Sequence, residues 1–276
     1  MKIFGETVRT IILKPFIVFY MAFLLLLIYV VHTLNPVIPL VTGLIDVSGA
    51  DIFETILSMT QFFLSSKVLP YFGIAILVFS VLLALAAGIL LPGYLNILYN
   101  SVNGYRNSIG TFTEGYRKYF LKITFLFFKA GLISILLTVF ILVAAVPMMV
   151  VLRAANIEKP ELVLVSIFVV FLTVTTIFFC SMFLRIYLVF WLTAAVNGEK
   201  PFFLTGKRVA DRNFWPLVRK FLLFDMFFIG FHTALSYTSI SGNIYGFAAA
   251  WGFNTVFFAL FFTYMFIFYR RNKIAG

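Results

Sequence analysis

The sequence predicts an all-α, polytopic membrane protein with six transmembrane helices, and three observations carry that prediction. Of its 276 residues, 63% are hydrophobic, 19% aromatic and only 11% charged, with 37 phenylalanines. Soluble domains are about half apolar and about a quarter charged, so this excess cannot be hidden in a water-facing fold. The apolar residues lie in six continuous runs, each long enough to cross a hydrocarbon core, which takes about 20 residues of helix. The few charges are sorted between alternate loops. Together these features exclude a cytosolic enzyme, a secreted disulfide scaffold and a disordered chain.

The first span is expected at residues 16–34, behind Lys2, Arg9 and Lys14. That arrangement resembles a signal peptide, but the run is too long for an h-region and NPVIPL follows in place of a small-x-small cleavage site. An uncleaved first helix is expected. Residues 35–70 are too long for a turn. Within them Ser48 can cap a helix and Asp51 lies in its first turn, while Ile52, Phe53, Ile56, Leu57, Met59 and Phe63 share one face. This pattern predicts an amphipathic helix over 48–66 on the outer surface. The remaining spans are expected at 71–99, 121–150, 162–196, 216–237 and 244–269, within a single domain covering 1–276. Their apolarity is continuous and lacks the alternation of barrel strands, so helices are preferred.

Charge sets the orientation. Sixteen of the 21 Lys/Arg fall in 1–14, 100–122, 197–220 and 270–276, whereas the alternate loops hold only Lys67, Arg153 and Lys159. The positive-inside bias therefore predicts both termini in the cytoplasm of a cell (inner) membrane. The basic residues most exposed to headgroups are Arg9, Lys14, Arg117, Lys118, Lys122, Lys207, Arg208, Arg212, Arg219 and Lys220. Their expected partner is a bilayer with anionic headgroups, each contributing ~1 kcal/mol near the surface. Nucleic acid is not an expected partner, because no soluble domain is present to offer a recognition surface.

The basic segments resemble one another. Phe4, Glu6, Arg9, Leu13, Lys14 and Phe19 recur 108 residues later as Phe112, Glu114, Arg117, Leu121, Lys122 and Phe127. A third copy aligns Phe203, Gly206 and Arg208 with Phe112, Gly115 and Arg117, and VNG at 102–104 recurs at 196–198. Each copy reads as an interfacial amphipathic helix leading into a span, which predicts a threefold helix-hairpin pseudo-repeat in parallel orientation. Inverted repeats, common among alternating-access transporters, are not indicated.

Catalytic constellations are sparse. No HExxH, CxxC, GxSxG or Walker pattern occurs, and no metal or cofactor is expected. The single Cys180 lies in an apolar run, so no internal disulfide can form. His32 and His232 are isolated and read as interfacial or packed. Asn96, Asn254, Ser134, Thr173, Thr175 and Thr176 suit interhelical hydrogen bonds. Three charges fall inside spans: Lys129, Arg185 and Asp225. A carboxylate at that depth is costly unless paired or hydrated. The three form a candidate intramembrane polar cluster, either lining a cavity open to the cytoplasm or making a structural ion pair beside a snorkelling Arg185.

Residues 185–218, RIYLVFWLTAAVNGEKPFFLTGKRVADRNFWPLV, run from a helix end through an NG turn and a basic amphipathic segment into an aromatic-led helix. Residues 93–122 are a weaker companion. In this the chain loosely resembles bacterial six-helix inner-membrane proteins of unknown function, related to the membrane domain fused to some glycerophosphodiester phosphodiesterases. There the phosphodiesterase activity belongs to a separate soluble domain, so the resemblance implies a topology and a role as membrane component, with no catalytic residue carried over. The leading expectation is a non-enzymatic integral membrane protein in envelope homeostasis, or the membrane partner of another protein. The alternatives are the permease subunit of an ATP-driven exporter, with 106–122 or 200–213 contacting an ATPase, and a lipid-handling protein built around Lys129, Arg185 and Asp225.

Overall fold

A computed structural model describes residues 2–33, 69–108, 110–155, 161–238 and 244–274, and among them every regular element is helical. The amphipathic helix expected over 48–66 lies outside the described residues. The elements are α1 (Lys2–Leu13), α2 (Phe16–Thr33), α3 (Leu69–Val102), α4 (Gly110–Ala155), α5 (Glu161–Val196), α6 (Phe202–Arg212), α7 (Phe214–Ser236) and α8 (Ile244–Ile274).

Sequence explains the breaks between them. Pro15 cannot donate a backbone hydrogen bond and disfavours helical geometry at Lys14, so α1 ends there and α2 restarts at a bend of 83°. Pro92 and Pro147 lie inside α3 and α4 without ending them. The helices over 80–102, 110–148, 164–196 and 244–273 are long and apolar enough to cross a membrane, and the bent α1–α2 pair makes a fifth candidate. The chain is an integral membrane protein by this measure. Helix α7 covers the expected span 216–237 but is not one of these candidates; Arg219, Lys220, Asp225 and His232 dilute its apolarity.

The chain divides into two compact units, Met1–Thr33 with Leu85–Leu126 and Arg185–Gly276, and Leu34–Ala84 with Phe127–Leu184. The first is built around α8, which packs against α1, α2, α6 and α7. Ile17 and Met21 of α2, Leu95 and Leu98 of α3, Ile123 and Leu126 of α4, Ile186 and Phe190 of α5, Phe221 of α7, and Met265 and Tyr269 of α8 are fully buried there. Burying side chains of this size contributes about 1.5–3 kcal/mol each when the alternative is water. Aromatic rings add edge-to-face contacts, such as Phe221 and Phe224 against Phe261.

The second unit holds smaller buried residues. Ser80, Ala84, Ala130, Ala145, Ser166 and Thr173 are buried, and Gly131 approaches Ser80 so closely that an added Cβ would sit 3.2 Å from the serine side chain. Its large apolar side chains, including Leu136, Phe140, Leu164, Phe168 and Phe171, are exposed.

Candidate functional site

The first unit gathers its charged and polar groups at one end, and small residues make that end possible. Gly115 on α4 lies against α3, where a Cβ would meet the Pro92 carbonyl at 2.7 Å and the Asn96 Cβ at 2.5 Å. Gly206 on α6 lies against α5, where a Cβ would meet the Phe190 carbonyl at 2.9 Å. Thr7, the corresponding position 108 residues before Gly115, is the one buried residue of α1, a helix that packs on α8. The three positions that the sequence repeat superposes are thus each buried in the first unit.

The paired VNG segments adopt one geometry. Gly104 and Gly198 have φ of +81° and +75°, a region where glycine carries no steric penalty. The Gly104 N–H donates to the Ser101 carbonyl (3.3 Å) and Tyr105 N–H to the Asn100 carbonyl (2.8 Å). Correspondingly, Gly198 N–H donates to Ala195 (3.3 Å) and Glu199 N–H to Ala194 (3.2 Å). Each is a Schellman cap that satisfies the last carbonyls of α3 or α5. Asn103 and Asn197 add the same side-chain bond, to the Tyr99 and Thr193 carbonyls at 2.9 and 2.7 Å.

Long-range contacts then tie these helix ends together. Arg270 donates to the Val102 carbonyl at the end of α3 and also to Glu6, which pairs with Arg271 as well. The Tyr119 hydroxyl donates to the Val196 carbonyl at the end of α5 at 2.9 Å, with the Lys118 and Lys122 ammonium groups 5.2 and 5.8 Å from its ring. Lys273 pairs with Glu199, and Lys14 donates to the Tyr105 carbonyl at 3.3 Å. Helix-end carbonyls that have no intrahelical partner are natural acceptors for such groups. Of the ten basic residues singled out from the sequence, Arg9, Arg117, Lys118, Lys207, Arg208, Arg212, Arg219 and Lys220 are exposed, while Lys14 and Lys122 are half-buried.

Among the three intramembrane charges, Arg185 on α5 and Asp225 on α7 form a two-pronged ion pair, with both nitrogen–oxygen distances at 2.7 Å. The guanidinium also sits 5.1 Å from the centre of the Phe221 ring, and the pair retains exposures of 43% and 27%. This fork-to-fork arrangement gives each carboxylate oxygen its own guanidinium N–H donor. Lys129 belongs to the second unit, where it is exposed. An ion pair is what this site holds.

Sequence reasoning missed Tyr187, whose hydroxyl donates to Asp211 of α6, and the pairing of Glu6 with the end of α8. The spacing of neither pair carries a signal, because each joins different helices. Among the polar span residues, Asn254 bonds His232 across α7 and α8 at 2.9 Å, and Asn96 donates to the Thr111 carbonyl at 2.8 Å. Thr173 reaches the Ala144 carbonyl of α4 at 3.5 Å as well as the Val169 carbonyl of its own helix at 2.9 Å, whereas Ser134 and Thr176 bond carbonyls four residues back in their own helices at 2.8 and 2.9 Å. His232 is packed among Phe228, Phe231 and Phe253. No group of three His, Cys, Asp or Glu side chains able to hold a metal occurs among the described residues. The side chain of His32 is outside them. Compared with known proteins, the chain matches no family model, no curated protein and no solved structure.

Proposed function

We propose that the chain is a non-enzymatic component of a bacterial cytoplasmic membrane, spanning it six times with both termini in the cytoplasm, and that its basic end serves envelope homeostasis or receives a partner protein. The observation that carries this reading is the division of labour at that end. Glu6 and Glu199 pair with Arg270, Arg271 and Lys273 of α8, while eight basic side chains of α1, α4, α6 and α7 remain exposed. Exposed cations of this kind suit anionic headgroups or an acidic partner surface. The matching turns and glycine contacts support the pseudo-repeat, and the long apolar helices support a multi-pass topology.

Orientation is tested by cysteine labelling in a Cys180→Ser background. New cysteines at positions 2 and 273 should react with an impermeant maleimide only after the membrane is opened; labelling of intact cells overturns the orientation. Function is tested by affinity purification in mild detergent. Recovery of a stoichiometric ATPase overturns the stand-alone reading in favour of an exporter's permease subunit. One feature favours that second reading: α6 is a short helix presenting Lys207, Arg208 and Arg212 on an exposed face, a form suited to contacting a soluble subunit. The third reading, lipid handling around Lys129, Arg185 and Asp225, requires the Arg185–Asp225 pair to open.

A further inference from the structure

Helix α1 has two apolar faces, and the rest of the protein covers only one of them. Residues four apart on a helix share a stripe. In the stripe Ile3, Thr7 and Ile11, Thr7 is fully buried and its neighbours are half-buried, and the helix packs on α8. The adjoining stripe is Phe4, Val8 and Ile12. Phe4 and Ile12 are 54% and 73% exposed, and nothing lies within 4 Å of where a Cβ on the neighbouring Gly5 would sit. Lys2 and Arg9, seven residues apart and so on one face, are exposed beyond this stripe. The acid of α1, Glu6, is already paired with Arg270 and Arg271.

The path of the chain says what meets the open stripe. Helix α2, the apolar limb of the bent candidate span, carries no Asp, Glu, Lys or Arg and exposes Phe16, Phe19 and Phe23, rings that in a membrane face acyl chains. Two residues, Lys14 and Pro15, join it to α1 at a bend of 83°. A helix nearly perpendicular to a span and joined to its end lies along the membrane surface. Exposed Leu13 and Phe16 flank the bend, so the apolar surface of α1 runs into the lipid-facing surface of α2. The Glu6 ion pairs to the end of α8 hold α1 in this transverse position.

The third copy of the basic segment is built differently. In α6, Gly206, Val209 and Ala210 are buried and Phe202 and Phe203 are half-buried. Apart from Leu204, its exposed residues are Lys207, Arg208, Asp211 and Arg212. No apolar stripe is left over.

We propose that α1 is a membrane-surface anchor: Phe4, Val8 and Ile12 enter the acyl-chain boundary of a phospholipid leaflet, Lys2 and Arg9 reach its phosphates, and α6, its counterpart in the repeat, does not insert. The inference deepens the functional reading above, resting on the chain's place in a membrane but not on its sidedness. Basic residues flanking an apolar face are the arrangement that such in-plane helices use.

The test is spin labelling of the full chain in vesicles of phosphatidylethanolamine and phosphatidylglycerol, one new cysteine at a time in the Cys180→Ser background. At Phe4→Cys and Ile12→Cys, oxygen should relax the label more than a water-soluble nickel complex does, at a depth about 5–10 Å below the headgroups. At Arg9→Cys, and at Arg208→Cys on α6, the nickel complex should dominate. Should either stripe variant unfold at a lowered temperature, Val8→Cys, in the middle of the stripe, carries the test. Nickel access along the stripe would place it in water, and exclusion of both reagents would place it against protein; either overturns the proposal, as does membrane depth at position 208. Depth is measured from the nearer leaflet, so an inverted chain or one that recruits an ATPase gives the same pattern, and failure of the functional reading shows separately.

Discussion

In the first unit glycines and aromatic rings close the space between helices, whereas in the second unit small side chains touch and many large ones, Leu136, Phe140, Leu164, Phe168 and Phe171 among them, face outward. Gly88, Gly93, Gly115 and Gly206 each lie where a Cβ would meet a neighbouring helix at 2.0–2.9 Å. The corresponding contact of the second unit, Gly131 against Ser80, is looser at 3.2 Å. Leu136 and Leu164 in the second unit are 73% and 78% exposed. Lipid chains are as apolar as leucine, so exposure there costs nothing and packing there gains only what shape can offer. The difference teaches that apolarity sets where a helix goes in a membrane, while small residues and polar pairs decide which helices stay together.

Substitutions can break or sharpen that contrast. The largest effect is expected at Gly115. Replacing it with Leu drives a side chain into the Pro92 carbonyl and Asn96, and the strain should cost about 3 kcal/mol, seen as a sharply lowered unfolding temperature in detergent. A neutral result would show that α3 and α4 are not locked in the first unit. Next comes the ion pair: Asp225→Asn or Arg185→Gln should each cost about 1.5 kcal/mol, a value for hydrogen bonds to charged groups. In a double-mutant cycle the two losses should not add, because one interaction is removed twice. Independent costs would mean that the pair is not formed.

Smaller again is Glu6→Gln, which loses two partly exposed ion pairs; about 1 kcal/mol is expected, shrinking as salt rises. The smallest effect belongs to the second unit. Leu136→Ala should change stability in vesicles by less than about 0.5 kcal/mol, as lipid-facing side chains are readily replaced by lipid. A loss comparable to that of Gly115→Leu would sharpen the picture differently, identifying the exposed face of the second unit as a protein interface.

Much of this was legible in the sequence, for a physical reason that also marks the limit. Hydropathy is a local property, so continuous apolar runs located α2, α3, α4, α5, α7 and α8. The repeated VNG signalled its two caps because a left-handed turn needs glycine there. The kinship of Gly115 and Gly206 was visible as an alignment, although not as two helix contacts. Arg185 and Asp225 could be paired because few charges compete inside spans, and the structure forms that pair. The division into units, and the pairing of Glu6 with Arg270, depend on residues hundreds of positions apart. No pattern of neighbours records such meetings. The dilution of α7 by Arg219, Lys220 and Asp225 was equally visible, but its consequence for spanning depends on what the helix packs against.

The contact between Glu6 and the end of α8 has a consequence for how the protein is made. Helix α1 leaves the ribosome early, yet α8, the helix on which its buried Thr7 face rests, is the last of the described helices to be synthesised. For most of translation that face has only the membrane surface to lie on. Closure of the basic end therefore waits for completion of α8, and a chain stopped short of Arg270 leaves Glu6 and the Val102 carbonyl without their shared cation. Such late, long-range closure is slow compared with pairing of adjacent helices. It offers a membrane quality-control protease a window in which unfinished chains differ from finished ones by a loose, accessible first helix.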